Sequence, residues 1–336
     1  MAPFAQALQV SFQSKSDDDT FHYRCELDPG WVIGAVPQGG YSLGVIVETC
    51  IQYQSGSSHP DPIHVSAHFL RATHPGPGQV QVKLLKSGKT FTNILAELVQ
   101  QGTTRVTAHL LFGDLSPSRP SQEQRILLPP SPYARRLPLY SHPSTVSRDA
   151  IVPPWAKKMH VRMAADAVLL SHNDPNHASR TTSESVGGGG TLWGAWYELS
   201  HTDDKLTTSS IPFFCDSFVN LPNLLPKSEP GSARGKRSWC PTIAMTVEFK
   251  ARIPSSDDHS TRTVGLYSEA RFMNDPEGRH NARVEVWTAP SQIGHGDIAE
   301  GWRDDQYCIA VADQVALVLP AELNIRQGTK DSQARL

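Results

Sequence analysis

The sequence has no run of 18 apolar residues, the length that a membrane-spanning helix needs. Its beginning lacks a basic segment followed by an apolar one, the pattern of a secretory signal. Lys and Arg number 31 and Asp and Glu 33, so the formal net charge is only -2 and no basic excess favours nucleic acid or an anionic membrane as a partner. These absences predict a chain that is neither secreted nor membrane-spanning and that binds no nucleic acid.

Cysteine is also scarce and is never paired in a CxxC motif. The odd number and wide spacing of the cysteines argue against a disulfide framework or a zinc ribbon and indicate reduced thiols in an intracellular compartment. Histidines at 64 and 68 would lie together on a helix but apart along a strand, so they give no metal site. We expect no metal and no resident cofactor. The five cysteines are Cys25, Cys50, Cys215, Cys240 and Cys308.

Residues 1–114 combine one helix with several strands, and we predict that they form an N-terminal domain. Thr20–Leu27 alternates apolar and polar positions, as a half-buried strand does. The segment 41–54 has apolar residues at helical spacing and follows the glycines Gly39 and Gly40. Four further alternating segments run from Asp61 to Asp114, with a hairpin turn at Ser87-Gly88-Lys89.

A proline-rich connector over 115–157 separates this domain from the rest, because nine of the 26 prolines fall there. The range 158–322 then repeats the order of strand, short helix and four strands, and 323–336 form a tail. Within the second half, 172–190 has the composition of a mobile loop. We therefore predict an α+β protein with two antiparallel sheets, each wrapped around a central helix, whose halves pack side by side and share one continuous sheet surface.

One carboxylate, Asp216, lies among the apolar and aromatic residues of Phe213–Leu221. A charge at the apolar start of a short helix is costly unless it is hydrogen-bonded or used. We expect these surroundings to perturb its pKa and to suit it to orient or deprotonate a water. The structural alternative is an aspartate that only caps the helix.

Short motifs recur in order along both halves. Together they resemble those of the double hot-dog acyl-CoA thioesterases, the thioesterase II family and its thioesterase-like relatives, over roughly residues 10–115 and 190–320. The first half contains Pro37-Gln38-Gly39-Gly40-Tyr41, Ser66-Ala67-His68-Phe69-Leu70-Arg71 and Leu85–Phe91; the second contains Cys215-Asp216-Ser217-Phe218, Trp239–Ile243, Thr246–Phe249 and Ala312-Asp313-Gln314-Val315.

The resemblance implies hydrolysis of an acyl thioester, either an acyl-CoA or a carrier-bound acyl or polyketide chain, in lipid or secondary metabolism. Coenzyme A would enter only as part of the substrate. Asp216 would be the base or water-orienting carboxylate, with Thr242 and Gln314 holding the same water. Strand alternation predicts that the side chain of Thr242 lies on the face of its strand opposite to that of Ile243, Met245, Val247 and Phe249. It likewise predicts that Gln314 lies on the face opposite to that of Val311, Asp313, Val315 and Leu317. The residues implied to contact substrate are Gly39, Gly40, Tyr41, His68, Phe69 and Trp239.

The chain departs from the family where many members carry an aspartate-histidine pair, because it has Ala244-Met245 there. Insertions at 172–190, 254–262 and 288–305 could reshape an acyl pocket. Two alternatives therefore stay open. One is a biosynthetic tailoring enzyme that uses Asp216 for proton transfer, cyclisation, dehydration or isomerisation. The other is a non-catalytic acyl-binding module.

Other features support weaker hypotheses. Gly40-Tyr41-Ser42-Leu43-Gly44 fits a GxSxG nucleophile elbow, although too little chain precedes it for an α/β-hydrolase. Cations in Ala233–Arg237 could meet the phosphates of coenzyme A. The tripeptide Ala334-Arg335-Leu336 resembles a peroxisomal import signal, so an import receptor is a candidate partner and the location is cytoplasmic or peroxisomal. Exposed sheet edges favour a homo-oligomer.

Overall fold

A computed structural model describes residues 2–116, 126–146, 158–177, 190–254 and 258–329. Parts of the predicted connector, most of the 172–190 loop and the tripeptide Ala334-Arg335-Leu336 lie outside these ranges. In the described part of the chain, no helix has both the length and the apolar character needed to cross a membrane. The helices are α1 (Phe4–Ala7), α2 (Gly39–Tyr53), α3 (Ala167–Ser171), α4 (Ile211–Cys215), α5 (Leu221–Leu224) and α6 (Ala321–Thr329), with a 3₁₀ turn at Thr208–Ser210.

Strands make up most of the regular structure. Those of the first half are β1 (Val10–Lys15), β2 (Thr20–Leu27), β3 (Val32–Ile33), β4 (Val36–Pro37), β5 (Asp61–Phe69), β6 (Gly76–Ser87), β7 (Thr92–Gln100) and β8 (Thr103–Gly113). Those of the second half are β9 (Val161–Ala165), β10 (Leu192–Leu199), β11 (Ser238–Trp239), β12 (Thr242–Phe249), β13 (Thr263–Glu269), β14 (Met273–Asn274), β15 (Arg279–Trp287), β16 (Cys308–Ala316) and β17 (Leu319–Pro320).

Thirteen of these strands form one antiparallel sheet in the order β1-β2-β6-β7-β8-β5-β12-β16-β15-β13-β10-β9, with β14 paired to β15. The two halves meet where β5 pairs with β12, from Ala244 opposite His68 to Glu248 opposite His64. As predicted, the two halves lie side by side and share one continuous sheet, of which the two predicted sheets are the two parts. The physical reason is that the edge strand of each half hydrogen-bonds to the other, which leaves neither edge unpaired.

The two halves repeat one spatial arrangement of strands. In the first half the order is β2-β6-β7-β8-β5, and in the second the strands at corresponding positions in the chain lie in the order β10-β13-β15-β16-β12. In each half, the helix follows the first strand of the set. The repeat in the sequence pattern therefore corresponds to a repeat in topology.

Helix α2 is apolar on nearly every side and is almost wholly buried. It packs against β1, β2, β5, β6 and β7, and also against α4. Its start is fixed by Gln38, whose side-chain oxygen accepts a hydrogen bond of 2.6 Å from the Tyr41 N–H. A helix with this burial derives its stability from packing more than from intrinsic propensity.

The corresponding helix of the second half, α4, has only five residues. Asp216 caps its C-terminal end, whereas the sequence predicted a position at the start of a helix. The apolar run Ile211–Cys215 is itself the helix, with Pro212 in its first turn, where a proline costs no hydrogen bond. The carboxylate thus lies where α4 ends and an extended segment begins.

The described part of the connector covers the other face of the sheet. Leu137 and Leu139 are fully buried there against Trp196 of β10 and Trp287 of β15. The buried Ala289 and Ile293 of the 288–305 insertion join the same cluster. This second, smaller core holds connector and insertion to one face of the C-terminal half.

Candidate active site

Asp216 lies where the two halves of the chain contact each other. Its Oδ2 accepts a hydrogen bond of 2.9 Å from the N–H of Gly40, at the start of α2. A side chain at Gly40 would place its Cβ 2.0 Å from the carbonyl oxygen of Pro212, so only glycine allows α2 to approach α4 this closely. The carboxylate also gains from the partial positive charge at the N-terminus of this long helix. An acid of the second half is therefore stabilised by a helix of the first.

Gln38 reinforces this junction and was not singled out from the sequence. Its Nε2 donates to the carbonyl oxygen of Phe213 at 3.0 Å, while its oxygen caps α2. One buried carboxamide thus joins the beginning of α2 to α4. The only sequence signal was its place before the glycine pair, where an N-cap is expected.

Thr242 reaches Asp216 because β12 has a bulge. The pairing of β12 with β16 shifts register between Thr242 and Ala244, so simple alternation fails at this point. Thr242 therefore faces the same side as the buried Met245, and the prediction that it points away from that series is wrong. Its Oγ1 lies 3.0 Å from Asp216 Oδ1 and 3.1 Å from Gln314 Oε1.

Gln314 completes the group from the middle of β16, where its side chain is buried between Met245 and Ala282 on the neighbouring strands. Its Nε2 donates to the carbonyl oxygen of Cys215 at 2.7 Å, which turns its Oε1 toward Thr242. Here the predicted alternation is right, because Asp313 is exposed on the opposite face. The structure thus brings together the three side chains that the sequence proposed as catalytic.

Burial raises the pKa of Asp216 from 3.8 to about 6. Four hydrogen-bonding groups oppose this rise: the Gly40 N–H most strongly, then Thr242, Gln314 and the Gly39 N–H. A carboxylate with such a pKa is mostly ionised at neutral pH and still basic enough to accept a proton. It is also only partly shielded from the adjoining cavity.

A cavity of about 830 Å³ adjoins Asp216 and Thr242. Its size falls within the range of small-molecule sites. Apart from Asp216, its charged lining consists of Arg71 and Arg105, while His74 adds a titratable group. A depression of similar size, about 870 Å³, is lined by residues of β1, β2, β6, β7 and adjoining loops, together with Gly328, and does not include Asp216. The apolar lining of the first cavity includes Ile33, Val36, Phe69, Phe218, Val219, Trp239, Ile243, Leu317 and Leu319.

The residues expected to contact substrate fall into two groups. Gly39, Phe69 and Trp239 line the cavity, and Gly40 borders it through its bond to Asp216. Tyr41 and His68 do not line it, and both expectations are corrected.

Helical geometry accounts for the position of Tyr41, which is fully buried inside α2. Its hydroxyl donates to the carbonyl oxygen of Ala7 at 3.0 Å and accepts from the Asp28 N–H at 2.9 Å. Strand alternation accounts for His68, which is exposed on the face of β5 opposite to that of Val65 and Ala67. The described residues of the three insertions do not line the cavity either.

Ser42 of the GxSxG pattern is buried within α2 and not on a strand-to-helix elbow. Its Oγ lies 3.1 Å from the hydroxyl of Thr73, with no imidazole in that contact. The cationic residues of the 233–237 loop, Arg234, Lys236 and Arg237, are exposed beside the cavity wall formed by Ser238 and Trp239.

The fold and this arrangement are those of a hot-dog protein. Residues 27–113 match the family model of the acyl-CoA thioesterase N-terminal domain. The chain is 23% identical to the thioesterase-like protein TwmA of Talaromyces wortmannii across 99% of this chain and 98% of that protein. It is 33% identical to the Ustilagic acid biosynthesis cluster protein orf2 of Mycosarcoma maydis, over 30% of this chain and 27% of that protein.

Solved structures agree on the fold. A thioesterase II structure from Thermobifida fusca YX superposes with a TM-score of 0.66 at 20% identity, over 94% of this chain and 99% of that one. A hot-dog protein of unknown function from Alicyclobacillus acidocaldarius gives 0.64 at 14%, over 95% and 98%. An acyl-CoA thioesterase II from Mycobacterium marinum gives 0.57 at 12%, over 95% and 99%. The resemblance predicted from the motifs is confirmed, and the chain has the hot-dog fold.

Proposed function

We propose that the protein is a double hot-dog enzyme that hydrolyses an acyl thioester with a water activated by Asp216. The observation that carries the proposal is the convergence of Asp216, Thr242 and Gln314 beside one cavity with both apolar and polar lining. The hydroxyl of Thr242 lies within 3.1 Å of both other side chains. Thioester hydrolysis requires a water that is partly deprotonated and held close to the carbonyl carbon.

In this reaction the ionised Asp216 accepts a proton from the water as its oxygen attacks the carbonyl carbon. The tetrahedral intermediate then collapses, the carbon–sulfur bond breaks, and the protonated Asp216 returns the proton to the departing thiolate. The products are a carboxylic acid and a free thiol, and the carboxylate is regenerated. A pKa of about 6 serves both steps, since the group must accept and release a proton near neutral pH.

Thr242 and Gln314 support this proton transfer. Thr242 has one hydroxyl proton and two acceptors, Asp216 Oδ1 and Gln314 Oε1. While Asp216 is ionised, Thr242 donates to it. When Asp216 holds a proton, it can donate to Thr242, which then donates to Gln314. The NH₂ group of Gln314 donates to the Cys215 carbonyl, which fixes the carboxamide with its oxygen facing Thr242. This oxygen can therefore accept the hydrogen bond from Thr242.

The apolar lining favours a hydrophobic acyl group on coenzyme A or on a carrier protein. One relative is described as a protein of a biosynthesis cluster, which favours secondary metabolism over general lipid turnover. The exposed Arg234, Lys236 and Arg237 beside Trp239 suit the phosphates of such a thiol carrier.

Release of free thiol from short, long and aromatic acyl-CoAs tests the proposal. We expect release by the native protein, loss in Asp216→Asn, and retention in the matched control Asp313→Asn, whose carboxylate is exposed on the opposite face. Turnover without free thiol would instead identify a tailoring reaction. Binding without turnover would identify an acyl-binding module.

A further inference from the structure

A second polar contact reaches the cavity four residues after Asp216. Asn220 lines the cavity, whereas its partner His280 lies behind it, only 2% exposed and absent from the cavity lining. The Nε2 of His280 is 3.0 Å from the side-chain oxygen Oδ1 of Asn220. The other ring nitrogen, Nδ1, is 2.9 Å from the carbonyl oxygen of Gly278. The Asn220 side chain is thus held from behind by a buried imidazole.

These two contacts determine which way the carboxamide points. The Gly278 carbonyl can only accept, so Nδ1 carries a proton. In a neutral imidazole Nε2 is then an acceptor. It pairs with Asn220 only when the carboxamide is turned by 180°, which brings the NH₂ group to Nε2 in place of Oδ1. With the carboxamide oxygen facing Nε2 instead, both ring nitrogens would face acceptors, which only an imidazolium could satisfy.

Burial favours the neutral ring because it lowers the pKa of His280, and the bond to the Gly278 carbonyl only partly opposes this. In the turned orientation the NH₂ group of Asn220 donates to His280. Its carbonyl oxygen remains as the part of the side chain that can accept a hydrogen bond in the cavity. A ligand that brings a donor into the cavity can form a hydrogen bond with this oxygen.

We propose that Asn220 is a substrate-recognition residue whose side-chain oxygen accepts a hydrogen bond from an N–H or O–H group of the substrate, and that His280 is its positioning residue. The proposal rests on the proposed thioesterase function and narrows its substrate class. Two parts of an acyl thioester can supply the donor. One is an amide N–H of a pantetheine arm, and the other is a hydroxyl group on the acyl chain.

Four substrates separate these sources. Hexanoyl and 3-hydroxyhexanoyl groups differ in the hydroxyl, and each is joined either to N-acetylcysteamine, which carries the amide, or to propanethiol, which lacks it. For the native protein we expect one of the two groups, amide or hydroxyl, to matter: kcat/KM should be about tenfold higher for substrates that carry that group than for those that lack it. This factor corresponds to the gain of one hydrogen bond. In Asn220→Leu that preference should fall to near one. The control Asn274→Leu, an exposed asparagine on β14, should keep it.

The preference that Asn220→Leu loses, for the amide or for the hydroxyl, identifies the donor. If Asn220→Leu retains the native preferences while still releasing thiol, recognition by Asn220 is refuted. Dissociation constants of the same four compounds are measured with Asp216→Asn. If the native protein releases no thiol from any of the four compounds, the proposed hydrolysis is disproved. The binding preference still decides the role of Asn220 in that case.

The positioning role of His280 is tested by two substitutions. His280→Gln can place a side-chain oxygen near the former Nε2 and accept the same N–H, so it should keep the preference. His280→Phe fills the space without an acceptor and should lose it, while the thermal midpoint checks that each variant is folded. Equal preference in His280→Phe and the native protein would mean that the ring only packs.

Discussion

The ionisation of Asp216 in a buried setting should destabilise the fold in a pH-dependent way. The pKa rises from 3.8 to about 6 on folding, and each pKa unit corresponds to about 1.4 kcal/mol, so the ionised form costs the folded state about 3 kcal/mol. For a group whose folded pKa is raised, this cost is absent below the unfolded value, grows as pH passes from about 4 to 6, and is complete above 6.

The substitution Asp216→Asn removes that cost and keeps the hydrogen bonds. The asparagine oxygen can still accept from Gly40, and its NH₂ can donate to the hydroxyl of Thr242, which then donates to Gln314. We therefore expect Asp216→Asn to be inactive but more stable than the native protein at pH 8, by about 3 kcal/mol, and nearly equal to it at pH 4.

Thermal midpoints measured at pH 4, 5, 6 and 8 provide the test. For a chain of this length about 3 kcal/mol corresponds to a rise on the order of 5 °C. The control Asp313→Asn changes an exposed carboxylate whose partner is Arg283, so its effect should stay within about 0.5 kcal/mol at each pH. A stabilisation by Asp216→Asn that is the same at pH 4 and pH 8 would refute the electrostatic reasoning.

The remaining predictions concern rate and packing. Because Asp216 must be ionised to accept a proton, kcat/KM should rise with pH through about 6, and a fall would contradict its role as a base. Thr242→Val should lower kcat about a hundredfold, with Thr242→Ser largely restoring it in the thiol-release assay. Gly40→Ala should cost about 1–3 kcal/mol in denaturant unfolding, because its methyl group would overlap the Pro212 carbonyl. Tyr41→Phe should lower stability by about 1–3 kcal/mol without changing kcat/KM, whereas a selective rate loss would return Tyr41 to the site.

Local periodicity was enough to predict most of the elements. The strand Thr20–Leu27 has the bounds that alternation predicted, and helix α2 begins two residues before its predicted start. The repeated order of elements also predicted the repeated topology. These features depend on residues close together in the chain, where side-chain period and turn residues directly constrain the backbone.

The candidate site shows where such reasoning stops. Residue types and motif order proposed Asp216, Thr242 and Gln314, but their contact depends on a bulge in β12 and on the end of α4, neither of which has a periodic signal. Alternation alone would have placed Thr242 on the wrong side. Alternation along β5, by contrast, does place Phe69 and His68 on opposite faces of the strand. It could have shown that only Phe69 lies on the inward face, had that face been known.

The sequence alone determined that this protein is a duplicated, strand-rich chain with one aspartate among apolar residues. Only the tertiary structure decided that β5 and β12 are the strands that join the halves. It also decided that a helix of the first half hydrogen-bonds to the acid of the second, and that Asn220 contacts the buried His280. The reason is physical: pairing between β5 and β12 joins residues more than 170 positions apart. Contacts at that separation are selected by the packing of the whole chain and leave little trace in any local pattern.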